Sequence, residues 1–476
     1  MSGPGTGASR HAARGRDRFA RLTGFDRMYL RDESAAWPCH FGGLAIVEGG
    51  PLLNASGQLR LAEIMDRLAL RLARVPELRR RVYLPGRLRG GPLWVDDDRF
   101  SIEHHVHETA VDAPGGDDQL LETASRIYAT LLDRSRPLWE LWFLTGLGDG
   151  RVGVLLKLHH AVADGTAAVA VMGSLFDVEA DAPDPMPAPW APGPIPGGWP
   201  LLTDNVAGKA RAVGRGVAML AHPRQVAGTV RTFALVTRRS LGRTSAPRTS
   251  LNRVVRAGRR VAFLRLDLAA MKEAAHAHGG KLNDVVLDLW TGGLRRLLLS
   301  RGESVAGIEL VAGMAVSTRA AADGTVDNQA GTIVLPLPAW QADAQRRLDL
   351  IVRRTGRAKS VPRAAAIMGA MVALSATPIG RYVNLHQRAV NVLVTNVVGP
   401  PVPMYVFGAR ILDIVPIIQL IGNIALTLCA FSYAGRVYLV VTADARGFPD
   451  LDVLMTGMER EWQALLGDRA AEPVPA

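Results

Sequence analysis

The sequence lacks any hydrophobic run that could cross a bilayer. Its longest apolar stretches, such as residues 364–374, fall short of the roughly 18–20 residues a spanning helix requires. The first twenty residues carry basic side chains, but no apolar run followed by a small-residue cleavage site, so they do not read as a secretory signal and a cytoplasmic location is expected. Cysteine is nearly absent. Cys39 and Cys429 lie too far apart to form a metal-ligand motif or a disulfide framework, and read as small buried apolar residues. Aromatic residues make up only 6% of the chain, and no DNA- or RNA-binding motif is present, which argues against nucleic acid as a partner.

Acidic residues are scarce in one place. Residues 201–260 hold thirteen Lys and Arg and the single acid Asp204, so this segment accounts for the whole net charge of +12. Val217, Met219, Leu220, Val226, Phe233, Leu235 and Val236 lie between its cations. Such a mixture suits an anionic lipid surface, and solvated helix faces are the plain alternative.

What the chain has is ample core material. With 476 residues, 48% of them hydrophobic and 21% charged, it must fold, and its length predicts at least two cores. Residues 1–20, rich in Gly, Ser, Ala and Arg, read as a tail that carries no fold. Leu61, Ile64, Met65, Leu68 and Leu72 recur at the spacing of one helix face, as do Leu120, Ala124, Ile127 and Leu131. Strand-like runs at 138–145 and 152–158 flank a Gly-rich turn, and residues 166–175 read as a buried helix. Eight prolines between 183 and 200 forbid a regular element and mark a linker. A second half begins near residue 260, with strands at 261–268, 308–317, 332–337, 390–396, 425–433 and 437–443 and helices at 269–278, 284–300 and 451–466. The organisation expected is a tail to 20, a first domain over 21–182, a linker with its basic segment over 183–259, a second domain over 260–468, and a tail from 469. Strands and helices mix without strict alternation, which predicts an α+β fold in both halves.

The most specific local feature is the run His159-His160-Ala161-Val162-Ala163-Asp164-Gly165. A strand ends at the histidines and the chain turns sharply, with Gly165 permitting a backbone path that a side chain would obstruct. Imidazole titrates nearest neutrality, so one of the two histidines can take and return a proton while the other is structural. Asp164 reads as a loop anchor that pairs with an arginine, and Arg319 is the candidate partner. His104, His105 and His107 lie in what reads as an ordinary polar strand, and no metal site is expected.

The run resembles the HHxxxDG signature of the CoA-dependent acyltransferase superfamily. Residues Leu132-Asp133-Arg134-Ser135-Arg136-Pro137-Leu138-Trp139-Glu140 resemble the LDRxRPLWE segment of the bacterial wax ester synthase/acyl-CoA:diacylglycerol acyltransferase family. Asn283-Asp284-Val285-Val286-Leu287 is similar to that family's NDVVL segment, and Val316-Ser317-Thr318-Arg319 to its VSxR segment. Thr395-Asn396-Val397-Val398-Gly399-Pro400 is similar to its SNVPGP-like segment, and Leu22-Thr23-Gly24-Phe25-Asp26 to its start. The matches follow the family's order from about residue 21 to 466. The chain departs from the pattern at Thr395, at Val398 and at Asp327-Asn328, where the family usually has Gly-Asn.

The resemblance implies two chloramphenicol-acetyltransferase-like domains with an active-site tunnel between them. It implies His160 as the general base, deprotonating an acceptor hydroxyl that attacks the thioester of acyl-CoA, the co-substrate, with no cofactor. Implied acceptors are diacylglycerol and long-chain alcohols, membrane-dissolved substrates that make a cationic surface over 201–260 functionally sensible. His159, Asp164 and Gly165 complete the catalytic turn. Asn283 either stabilises the oxyanion or a substrate group, or caps the helix that follows it, and Asp284 is expected to be structural. Pro137, Leu138 and Trp139 form core or tunnel wall, with substrate contact as the alternative. Two other functions are compatible with the sequence: esterification of a polyketide or other non-glyceride alcohol, and non-catalytic binding to lipid inclusions.

Overall fold

The computed structural model describes residues 19–162, 171, 173, 175–220, 246–317, 330–358, 382 and 385–467. In chain order the principal elements are α1 (Gly24–Asp32), β1 (His40–Glu48), α2 (Leu61–Arg71), β2 (Arg80–Tyr83), β3 (Leu93–Asp96), β4 (Val106–Ala110), α3 (Asp117–Tyr128), β5 (Trp139–Thr145), β6 (Arg151–His159) and α4 (Gly198–Leu220). The second half supplies β7 (Arg259–Asp267), α5 (Leu268–Ala277), α6 (Leu282–Ser300), β8 (Leu310–Ser317), β9 (Ala330–Leu337), α7 (Ala344–Ala358), β10 (Val392–Val398), β11 (Tyr405–Val406), β12 (Ala409–Ile417), β13 (Leu426–Tyr433), β14 (Arg436–Asp444) and α8 (Leu451–Leu466). Among the described residues no helix is long and apolar enough to cross a membrane.

Local chemistry explains the elements that frame the site. Thr23 and Asp26 close a reciprocal capping box that starts α1, the Thr23 Oγ1 accepting from the Asp26 N–H at 3.2 Å and Asp26 Oδ2 from the Thr23 N–H at 2.8 Å. Helix α3 begins with Asp117 and Asp118 at its positive end. It buries Leu120, Ala124 and Ile127 but stops at Tyr128, leaving Leu131 exposed. Strand β6 is buried on both faces almost from end to end, as a strand with a partner on each side and covered faces must be.

Two six-stranded mixed sheets form the body, ordered β11-β12-β1-β6-β5-β4 and β7-β14-β13-β10-β8-β9. In the first, β1 and β6 pair antiparallel with His40 opposite His159. The other edge of β1 pairs with β12, a strand from the second half of the chain, with Gly42 opposite Ile417. The second half therefore completes the first sheet. The apolar core of the first sheet continues into Val261, Cys429, Phe431, Tyr433, Tyr438 and Val440 of the second, so the two halves share one hydrophobic contact. A separate core lies under α6, α7 and α8, around Trp290, Leu348 and Met458. Both cysteines are free and buried, as the sequence suggested.

The Pro-rich stretch is tacked onto the first half by polar contacts. Asp184 accepts from Arg67 Nε at 2.5 Å and from Arg71 Nε at 2.9 Å, and the Arg79 guanidinium lies 5.1 Å from the ring centre of Trp190. The helix expected over 166–175 and the apolar run 364–374 fall largely or wholly outside the described residues.

Candidate active site

Neighbouring residues on a strand point to opposite faces, so the two histidines at the end of β6 meet different surroundings. His159 is fully buried. Its Nδ1 accepts from the Ala161 N–H at 3.0 Å, which leaves the ring proton on Nε2. That nitrogen faces Glu33 Oε1 at 3.3 Å. Nδ1 of His159 is thus committed to the turn, and Nε2 faces a carboxylate.

Glu33 follows α1 directly. Its Oε1 also accepts from the Cys39 N–H at 3.3 Å, and its Oε2 takes two bonds from Arg134, 3.0 Å from Nε and 2.7 Å from Nη2. Burial alone would raise the pKa of this carboxyl, but the bond to His159 and the Arg134 guanidinium outweigh burial and hold it down at about 2. Glu33 is therefore an anion at any working pH. His40, across the ladder from His159, donates from Nε2 to the Tyr128 carbonyl at 2.5 Å. Burial, and then the charge of Lys157, push its pKa down to about 3, so it is neutral.

His160 turns the other way and is half-buried. Its N–H donates to the Cys39 carbonyl at 2.9 Å. Its ring stacks on Tyr29 of α1, with centroids 4.8 Å apart and planes 17° from parallel. The edge of Phe41 approaches it at 5.2 Å and 69°. Two aromatic walls thus restrict the rotation of the imidazole.

The remaining sequence-derived candidates are placed as follows. Asp164, Gly165 and Arg319 lie outside the described residues. Pro137, Leu138 and Trp139 are buried; Trp139 belongs to the first core, donates from Nε1 to the Leu78 carbonyl at 2.7 Å and stacks on His105 at 4.6 Å. His105 binds the Trp139 carbonyl through Nδ1 at 2.9 Å, and His107 packs on Trp142. Asn283 does not cap α6, contrary to one of the two expectations. The cap position is Lys281, whose N–H donates to Asp284 Oδ2 at 2.7 Å, because the chain enters the helix two residues earlier than the pattern suggests. Asn283 Oδ1 instead accepts from Asn396 Nδ2, which joins the NDVVL and TNVVGP segments. Asp284 also accepts from Thr355 Oγ1 at 2.7 Å and so ties α6 to α7.

Sequence reasoning missed Glu33, Tyr29 and Phe41. Arg134 stood inside a quoted segment but was assigned no role. A single acid after a helix carries no local pattern, and its partner Arg134 is 101 residues away.

Comparison with known proteins gives the family. Residues 22–286 match the wax ester synthase/diacylglycerol acyltransferase catalytic domain, and residues 326–465 the WS/DGAT C-terminal domain. A protein of Mycobacterium tuberculosis, provisionally named a diacylglycerol O-acyltransferase, is 30% identical over 481 residues, covering 97% of this chain and 93% of the relative. The wax ester synthase/diacylglycerol acyltransferase structure from Marinobacter aquaeolei VT8 superposes with a TM-score of 0.69 at 24% identity, over 94% of this chain and 99% of that one. The first condensation domain of the calcium-dependent antibiotic synthetase superposes with a TM-score of 0.55 at 18% identity, over 96% and 98% of the two chains. These structures share the α+β architecture of CoA-dependent acyltransferases expected from the sequence. The chain belongs to the wax ester synthase/diacylglycerol acyltransferase family.

Proposed function

We propose that this acyltransferase moves a long-chain acyl group from acyl-CoA to the hydroxyl of diacylglycerol, giving triacylglycerol, and to long-chain alcohols, giving wax esters. His160 is the general base. It takes the proton of the acceptor O–H as the oxygen attacks the thioester carbon, and the C–S bond of the resulting tetrahedral intermediate then breaks. The imidazolium returns the proton to the departing CoA thiolate. No covalent acyl-enzyme forms, and the reaction draws on acyl-CoA as co-substrate with no further cofactor.

The observation that carries this reading is the division of labour at the end of β6. His159 is fully buried, its Nδ1 accepting the Ala161 N–H and its Nε2 facing Glu33, whereas His160 stands half-buried between Tyr29 and Phe41. The test is product identification from labelled palmitoyl-CoA supplied with diolein or hexadecanol. His160→Ala is expected to lower turnover by ~10²–10⁴-fold, the range of general-base catalysis, with an unchanged circular dichroism spectrum. Retained turnover would refute the assigned base, and absence of product with either lipid would refute the acceptors.

The same reading places the protein in the cytoplasm, peripherally on a membrane face or lipid inclusion through the basic segment 201–260. Support comes from α4, which leads into that segment. Trp199, Val206 and Val213 recur every seven residues and are 74%, 58% and 67% exposed, beside the exposed cations Lys209 and Arg211. An apolar stripe flanked by cations suits an anionic interface. Flotation with phosphatidylglycerol-containing vesicles is expected, and replacing Trp199, Val206 and Val213 together by Ser should weaken it severalfold. Equal flotation of the triple variant would remove α4 from the contact.

A further inference from the structure

We propose that Glu33 is a positioning residue for the imidazole of His160, acting through three neighbours of that ring at once. The inference rests on His160 being the base.

The first route is α1. Glu33 closes this helix, its N–H donating to the Tyr29 carbonyl at 3.0 Å, and Tyr29 one turn earlier supplies the face on which the His160 ring stacks. Fixing the Glu33 carboxylate to Arg134 and to the end of β6 fixes the distance of the Tyr29 ring from His160. The second route is the Cys39 peptide. Its N–H donates to Glu33 Oε1 at 3.3 Å, and its carbonyl accepts from the His160 N–H at 2.9 Å. The third is His159, which faces Glu33 through Nε2. Through Nδ1 and its carbonyl, His159 receives the N–H groups of Ala161, at 3.0 Å, and Val162, at 2.9 Å, and so shapes the turn on which His160 sits. The preceding helix, the facing strand and the following turn are thus all referenced to one carboxylate.

An ion pair that served stability alone would need none of this convergence. Arg134 is 47% exposed while Glu33 is 1% exposed. The carboxylate is therefore held from outside by the guanidinium and spends its inward oxygen on the surroundings of the imidazole. A base misplaced by about 1 Å loses on the order of a hundredfold in rate.

Steady-state kinetics with palmitoyl-CoA and diolein, run well below each variant's melting temperature, test the proposal. Glu33→Ala is expected to lower kcat by ~100-fold while KM for palmitoyl-CoA stays within ~2-fold. Glu33→Gln keeps an acceptor oxygen and is expected to recover about tenfold of that loss. Arg134→Met removes only the outer anchor at an exposed side chain and is expected to lower kcat by ~10-fold with folding intact, so it serves even if Glu33→Ala does not fold. Wild-type kcat in Glu33→Gln and Arg134→Met, or losses that appear only in melting temperature or only in KM, overturn the proposal. His160→Ala run alongside separates the two readings. Full turnover in that variant removes the base itself, whereas an inactive His160→Ala beside fully active Glu33 and Arg134 variants removes only the positioning role.

Discussion

Two regions of this protein bury a carboxylate against an arginine, and the consequences are opposite. At the candidate active site, Glu33 is the one carboxylate paired with Arg134 among the described residues, and it also accepts from the Cys39 N–H and faces His159. Its carboxyl is held down at about 2. Under α6, α7 and α8, Arg347 is fully buried and serves two acids, Asp288 through Nε at 2.8 Å and Nη2 at 3.1 Å, and Glu461 through Nη2 at 2.8 Å. There burial outweighs the shared guanidinium, Glu461 adds repulsion, and the Asp288 pKa is pushed up to about 6. Depth of burial, with a second acid beside Asp288, sets the sign. The first arrangement keeps a permanent anion beside the turn that carries the two histidines. The second is a pin between three helices.

The largest expected effect tests that contrast directly. Arg347→Met leaves the buried Asp288 carboxylate without its guanidinium and Glu461 with only Arg296, 3.5 Å away, and should cost about 3–5 kcal/mol of stability in urea denaturation. Arg134→Met leaves the buried Glu33 carboxylate with the Cys39 N–H and the facing His159 ring and should cost less, about 1–3 kcal/mol. Comparable losses in the two variants would collapse the distinction.

A smaller effect separates the regions by pH. The folded-state pKa of Asp288 lies above its ordinary value of 3.8, so the native state binds the extra proton. Its contribution is fully present below about pH 4 and is lost as pH rises toward about 6, a change of roughly 3 kcal/mol. The folded-state pKa of Glu33 lies below its ordinary value of 4.5. Its contribution is present above that value and is lost as pH falls toward about 2. The urea midpoint of wild type should fall relative to that of Asp288→Asn as pH rises from 4 toward about 6, and the difference should then hold steady to pH 7. A wild-type minus variant difference that does not vary with pH would show that Asp288 is ionised throughout.

Legibility in the sequence followed the range of the interactions. The helix of α2, the start of α3 and the strand ending at His159 were readable because periodicity, capping residues and turn glycines act over a few neighbours. The paired histidines and the NDVVL segment were readable as short motifs. Strand β12 was not assigned, although it closes one side of β1. Its partner lies in the other half of the chain, and Pro416 weakens its local strand pattern. Asn283 was weighed as a helix cap because Asn is a good one, but the side chain of Asp284 takes that bond from Lys281 and leaves Asn283 to meet Asn396.

The sequence by itself determined that a strand delivers two histidines into a turn, that the chain has two α+β halves, and that its positive charge is concentrated after the Pro-rich stretch, since each of these is written in adjacent residues. Only the tertiary structure decided how the two histidines differ. Alternation along β6 turns one ring toward a buried carboxylate and the other between two aromatic walls, and the residues that form those surroundings come from α1, the start of β1 and the Arg134 loop. Their meeting depends on closing long loops of chain, for which no local spacing can stand in.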